Sequence, residues 1–201
     1  MELLMKTVLA IGAHFDDLEI GVAGTLIKHM AKGDVVYVAV LYADEFRTGE
    51  PSERLLEQYE ALKLLGVPKK FLIVMKSDDN DYNIIYELDK IQPDIVYTSY
   101  WNDTHQDHRR CSRIGQSVGR KLYITTLFYA SASAISFNPT VFVNIDFDKK
   151  MEILNCYKSQ KFHGAINVER VKRREHYWGT MISSEDCYAE GFVIHKMEIN
   201  I

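Results

Sequence analysis

The chain has 201 residues, 47% of them hydrophobic, enough to bury one sizeable core, and a single domain spanning residues 1–201 is expected. Its formal charge is −4 and its Lys and Arg residues are scattered apart from Lys172-Arg173-Arg174, so it offers no basic field to a nucleic-acid backbone. Three cysteines, Cys111, Cys156 and Cys187, are odd in number and form no CxxC pair, which argues against a disulfide framework or a thiolate zinc knuckle.

Met1 to Lys6 leads into the apolar run Thr7 to Ala13, superficially a secretory leader. The run is short, Glu2 sits in what would be the basic segment, and no stretch nears the roughly 20 apolar residues of a membrane helix, so a cytoplasmic protein is expected. Thr7 to Gly12 reads as a strand, and Ile20 to Ala31 shows helical spacing up to Gly33-Asp34. Val35 to Leu41 follows as a buried strand, Ser52 to Leu65 as a helix closed by Gly66, and Phe71 to Met75 as a third strand. Tyr82 to Ile91 is expected to be helical, Asp94 to Thr98 a strand after Pro93, Gln106 to Lys121 a helix, and Leu122 to Tyr129 a strand. The alternation then weakens: Val141 to Ile145 predicts a strand, Asp148 to Tyr157 a helix capped by Asp148, and Val168 to Trp178 another helix. Continuously apolar strands alternating with helices predict an α/β class, a Rossmann-like doubly wound, mainly parallel sheet with helices on both faces.

Two polar clusters fall at strand ends: Ala13-His14-Phe15-Asp16-Asp17 and His105-Gln106-Asp107-His108. In a doubly wound sheet the ligand crevice lies beyond the carboxyl ends of the strands, so the clusters can meet although about ninety residues separate them. His14 and Asp17 are metal-type donors three residues apart on a loop, and Asp16 remains as a carboxylate able to take a proton from an activated water. His105 and His108 share a helix face; both can ligate, or one can ligate while the other acts on substrate. Asp107 is suited to hold an imidazole by its ring N–H. Either cluster alone has a plainer reading as helix-cap chemistry. Their joint placement favours a shared metal site. Asp79, with Asp78 and Asp81, offers carboxylates to ligand hydroxyls from the loop after the third strand, with a merely solvated acidic loop as the other reading, and Tyr100-Trp101 offers a stacking surface or ordinary strand-end packing.

The segment Ala10 to Gly21 resembles the AHPDD hallmark of the LmbE-like, or PIG-L type, zinc-dependent N-deacetylases, and His105-Gln106-Asp107-His108 resembles their HxDH segment. Arg54 to Val67, Pro93 to Val96, Lys158-Ser159-Gln160 and Tyr188 to Phe192 are similar to further family segments, so the resemblance spans nearly the whole chain. It implies zinc, or another divalent transition metal, held by His14, Asp17 and His108. It further implies Asp16 as general base, His105 as acid or electrostatic stabiliser, and Asp107 tuning His105. Arg54 would contact sugar hydroxyls; a surface pair with Glu57 or Glu50 is the other reading. Phe15 replaces the usual proline, and Asp103 stands where some members carry a tyrosine that assists the oxyanion. The implied activity is removal of an acetyl group from an N-acylated amino sugar, such as an N-acetylglucosamine derivative, or its conjugate. The alternatives are an amidase acting on a sugar-thiol conjugate and a non-catalytic Rossmann-like binding module. Gly12, Gly21 and Gly24 do not fit the GxGxxG spacing that the binding module needs. The expected partner is a small amino-sugar molecule, without nucleic acid or a membrane span; a homo-oligomer is compatible with the sequence.

Overall fold

The computed structural model describes residues 5–43, 52–121, 123–183 and 185–197; Met1 to Leu4, Glu50 and Leu122, which entered the expectations above, lie outside them. Five strands run parallel: β1 (Thr7–Gly12), β2 (Val35–Val40), β3 (Leu72–Val74), β4 (Ile95–Ser99) and β5 (Thr125–Tyr129). β6 (Val141–Ile145) and β7 (Tyr188–Lys196) extend the sheet antiparallel, and the order is β3-β2-β1-β4-β5-β7-β6. The single-domain, mainly parallel α/β sheet is therefore the one the alternation of elements predicts.

The alternation of side chains along β1 shows why both faces are covered. Val8 and Ala10 join one apolar core with Leu26 of α2 (Ala23–Lys32), Leu62 of α3 (Glu53–Leu65) and Leu154 of α6 (Phe147–Leu154). Leu9 and Ile11 join a second core with Leu88 of α4 (Asp81–Asp89) and Ile114 of α5 (Gln106–Val118). Each such fully buried aliphatic side chain contributes about 1.5–3 kcal/mol, so neither face of β1 can be exchanged for a polar one.

Three local expectations change. The helix expected from Ile20 begins earlier, as α1 (Asp17–Gly21), and is separated from α2 by a break at Val22 (φ −147°, ψ 5°). A polar start hid it: Glu19 is buried and accepts a hydrogen bond from Gln58 Nε2 (2.9 Å). Gly21 lets α1 lie against the Tyr129 ring, where any Cβ would collide. The cap of α6 is Asp146, which accepts from Lys149 N (3.1 Å), while Asp148 lies in the first turn, favoured by the helix dipole. That helix ends at Leu154, short of Tyr157, and the chain then forms α7 (Lys158–Phe162) and α8 (Val168–Gly179). β7 was not expected, because Glu190 and Gly191 interrupt its apolar run; the structure buries Glu190 completely against Lys150. Cys111, Cys156 and Cys187 are free thiols. Among the described residues no helix is long and apolar enough to cross a membrane.

Candidate metal centre and catalytic cleft

The carboxyl end of β1 runs into a tight loop whose conformation is set at Asp16, a non-glycine residue in the left-handed region (φ 98°). Such a backbone costs of order 1–3 kcal/mol and persists only where the surroundings impose it. Here Asp17 Oδ2 accepts from His14 N (2.8 Å), and Arg54 Nη2 donates to the Phe15 carbonyl (3.1 Å), closing the loop from both sides. Asp16 is thereby turned into the cleft. From the carboxyl end of β4, the second cluster arrives on the first turn of α5, with His105 as its N-cap.

The two clusters meet. His108 Nε2 lies 3.2 Å from Asp17 Oδ1, and His14 Nδ1 lies 3.6 Å from Asp17 Oδ2. The far nitrogen of each imidazole is engaged by a second carboxylate: His14 Nε2 by Asp107 Oδ2 (3.1 Å) and His108 Nδ1 by Asp103 Oδ2 (3.0 Å). Such outer partners fix tautomer and ring orientation in metal sites. One donor atom from each of His14, Asp17 and His108 lies within 4.8 Å of the others, and the same holds for His14, His105 and Asp107. Two imidazole nitrogens and one carboxylate form a donor set that suits zinc and neighbouring transition metals. The residues therefore fit a divalent cation, and the first trio fits it better because its outer nitrogens are already held.

The electrostatics reflect the carboxylates gathered around the imidazoles. Burial alone would lower the His108 pKa, but the hydrogen bonds it donates to Asp103 and Asp17 outweigh it and hold the imidazole up to about 10. Burial opposes ionisation of Asp17, yet hydrogen bonds from His108 and His14 pull it far below the usual carboxylate range. Burial also works against the Asp103 carboxylate, but His108, Ser131 and Ser133 bring it down to about 2. Asp16 behaves oppositely: burial and the adjacent Asp17 charge push it well above the ordinary value, with Arg54 as the main opposing cation. The cluster as built attracts positive charge and leaves Asp16 more basic than Asp17 and Asp103.

His105 contributes through its tautomer. Its Nδ1 accepts from Asp107 N (3.2 Å), so a neutral ring carries its proton on Nε2. Burial and the neighbouring His108 and His14 lower its pKa, keeping that neutral form dominant near pH 7. The cleft has a volume of about 370 Å³ and is lined by His14, Asp16, Asp17, Arg54, His105 and His108, with Gln160 from α7. A larger hollow of about 760 Å³ between α3 and α6 is lined by four glutamates and no histidine, and it lacks this chemistry.

A model of the PIG-L family, described as GlcNAc-PI de-N-acetylase, matches residues 9–118, which include both clusters. The chain belongs to the PIG-L family. A protein of Escherichia coli (strain K12) named uncharacterized deacetylase YaiS is 28% identical over 169 residues, covering 77% of this chain and 91% of that one. Among solved structures, the conserved protein TT1542 from Thermus thermophilus matches with a TM-score of 0.80 and 25% identity over 98% of both chains. The N,N'-diacetylchitobiose deacetylase from Pyrococcus horikoshii shares the fold, with a TM-score of 0.75 and 23% identity over 94% of this chain and 83% of that one.

Within this PIG-L chain, six of the expected site residues converge, and Arg54 joins them at the edge of the cleft. Glu57 does not pair with Arg54: it accepts from Ser159 N (2.8 Å) and Ser159 Oγ (2.6 Å), anchoring α7 beside the cleft. Glu50 lies outside the described residues. Two expectations need correction. Asp79 is not brought to the cleft; its carboxylate closes its own turn by accepting from Lys76 N (2.9 Å). Asp107 approaches His14 (3.1 Å) more closely than His105 Nδ1 (3.7 Å), because its backbone N–H, not its carboxylate, takes up the His105 nitrogen. Tyr100 packs against Phe137 and Phe128, and Tyr100-Trp101 stays outside the cleft lining.

Asp103 takes a larger part in the site than the motifs around it suggest. It is buried, and its carboxylate accepts from His105 N (2.8 Å), Ser133 Oγ (2.6 Å) and Ser131 Oγ while holding His108. Its position five residues before His108 was a usable signal. The two serines were not, since they come from the irregular segment after β5 and carry no motif.

Proposed function

We propose that the protein is a divalent-metal-dependent hydrolase that removes the acetyl group from an N-acetylated amino sugar or amino-sugar conjugate. The observation that carries this reading is the division of labour around Asp17: two imidazoles with their outer nitrogens held by carboxylates, and beside them a buried, basic carboxylate, Asp16, that is not needed as a ligand. His14, Asp17 and His108 would hold the cation, with zinc the metal that the donor set favours. Such a cation, when bound, supplies Lewis acidity toward an amide carbonyl and lowers the pKa of water.

The remaining steps belong to the chain. Asp16 takes the proton of the attacking water, a role suited to a carboxylate whose pKa burial has raised toward the working range. The Nε2–H of His105 donates to the oxygen that becomes negative as the carbonyl turns tetrahedral. Asp16, now protonated, or His105 returns a proton to the departing amine. Asp107 keeps His14 in one tautomer, and Arg54, which also holds the Phe15 carbonyl, places its guanidinium at the cleft edge where it can meet sugar hydroxyls. Amide cleavage of an acetylated amino sugar is also the chemistry that the family's description names.

Acetate release from a panel of N-acetylglucosamine derivatives, with zinc supplied, tests this directly. The wild-type chain releases acetate, and Asp16→Asn lowers the rate by about 10²–10⁴-fold while retaining bound metal. Near-native turnover by Asp16→Asn would remove Asp16 as the base. Release of larger acids without acetate would turn the reading to the sugar-conjugate amidase.

A further inference from the structure

A second cavity, of about 180 Å³, adjoins the cleft. The two share a wall formed by Ile20, Ala132 and Ala165, so a molecule whose acetamide lies at the metal centre can extend one substituent across that wall. The far side is α8, whose Arg170 and Arg174 both line the cavity, and the lining contains no carboxylate. In a chain of net charge −4 this is a local reversal of sign.

The two arginines lie one turn apart on one helix face, an arrangement that repels by a few tenths of a kcal/mol when nothing compensates it. Arg174 is fixed: it donates to the carbonyls of Ile20 (2.8 Å) and Ala130 (3.4 Å), and its guanidinium packs over the Trp178 ring at 5.0 Å. It also approaches Glu175 Oε1 (3.3 Å), but that oxygen already accepts from Lys150 Nζ at 2.5 Å. Its Nε–H is buried and has no hydrogen-bond partner among the described residues. Arg170 is exposed, and among the described residues its side chain has no carboxylate partner. Arg110 and Arg120, by contrast, each pair with an aspartate. Asn167, at the same cavity, uses its Oδ1 to accept from Arg170 N (2.9 Å), so the group it can still present is its NH₂ donor.

Arg170 without a carboxylate partner among the described residues, the amide donor of Asn167, and Arg174, whose charge is shared with Glu175, together favour an anion at a lining that holds no carboxylate of its own. Resting on the deacetylase reading, we infer that this cavity is a subsite for an oxyanion carried by the amino-sugar substrate, a phosphate or carboxylate on the substituent distal to the acetamide. Arg170 supplies the free charge, and Arg174 supplies the rigid wall. A neutral N-acetyl sugar leaves the subsite unused.

Calorimetric binding of the products tests this without relying on turnover. Glucosamine 1-phosphate, a carboxymethyl glycoside of glucosamine and glucosamine itself are titrated into the zinc-loaded protein, then into Arg170→Ala, Arg170→Glu and Arg173→Ala. Arg173 is on the same helix but does not line the cavity. The wild type is expected to bind at least one of the two anionic ligands about tenfold more tightly than glucosamine. Arg170→Ala removes most of that preference, Arg170→Glu reverses it, and Arg173→Ala keeps it. The anion giving the larger preference distinguishes phosphate from carboxylate. Equal affinity for all three ligands, or a preference that survives Arg170→Glu in a variant with unchanged melting temperature, overturns the subsite. Absence of acetate release from every substrate would overturn the deacetylase reading instead, and the binding preference would still be read independently.

Discussion

The two ends of the short helix α1 each touch a cluster of buried charge, and the clusters are built in opposite ways. At the carboxyl end, Lys150 Nζ donates to the Ile20 carbonyl (3.0 Å), Glu175 Oε1 (2.5 Å) and Glu190 Oε1 (2.6 Å), and all three of these ionic side chains are fully buried. The Glu190 carboxylate also accepts from Gly24 N (2.9 Å) and Thr25 N (2.7 Å) at the start of α2. With Arg174 beside Glu175, two cations face two carboxylates. At the amino end, Asp16, Asp17, Asp103 and Asp107 gather around three histidines and Arg54, and the group opens into the cleft. A buried ion cluster that is closed and electrically balanced holds the fold. One that is open and rich in acceptors can take up a cation.

Lys150→Met, which leaves two buried carboxylates without their shared cation, is expected to have the largest effect on folding. A loss of about 3–5 kcal/mol is expected in urea unfolding at pH 7. A loss below about 1 kcal/mol would mean that the carboxyl-end cluster is not what fastens α1 and α2 to β7. At the cleft the expected cost lies in ligand binding rather than folding. Asp103→Asn keeps the size of the side chain but weakens its hold on His108, so zinc affinity falls by about 10–100-fold in a competition titration with a chromophoric chelator. Unchanged affinity would demote Asp103 to a purely structural part.

A third carboxylate–imidazole pair supplies the control. Asp34, at the opposite end of the sheet, holds His29 Nδ1 (2.7 Å) with one oxygen and accepts from Lys6 N (2.9 Å) with the other. Burial acts to raise its pKa, but the bonds to His29 and Lys6 outweigh it and the folded value is depressed. Its stabilisation is therefore fully present above the unfolded carboxylate pKa of about 3.9 and is lost as pH falls through the lower folded value. Asp34→Asn is expected to cost about 1 kcal/mol at pH 7, with the gap to wild type closing in unfolding titrations toward pH 3 and acetate release at pH 7 unaffected. A gap that stays constant from pH 7 to pH 3 would remove the ionic contribution.

How much of this was legible in the chain follows from which signals are local. β1 and β2 were readable because their apolar runs are uninterrupted, and the His14 and His108 clusters because they follow strand ends. β7 was not, since its Glu190 looks like a surface residue until Lys150, forty positions earlier, is placed against it. Asp103 needed Ser131 and Ser133 from another strand's loop to become a buried acceptor. Asp79 misled because an acidic loop looks the same whether it faces a ligand or closes its own turn.

The proposed deacetylase activity requires His14, Asp17 and His108 to share one divalent cation. Titrating cobalt(II) into metal-free protein and following its visible d–d absorption tests this most directly, because the bands report nitrogen and carboxylate ligation. A break at about one cobalt per chain in the wild type, lost in His14→Ala and in Asp17→Ala while both variants remain folded, is the predicted result. An endpoint unchanged in those variants, or no endpoint in the wild type, would contradict it.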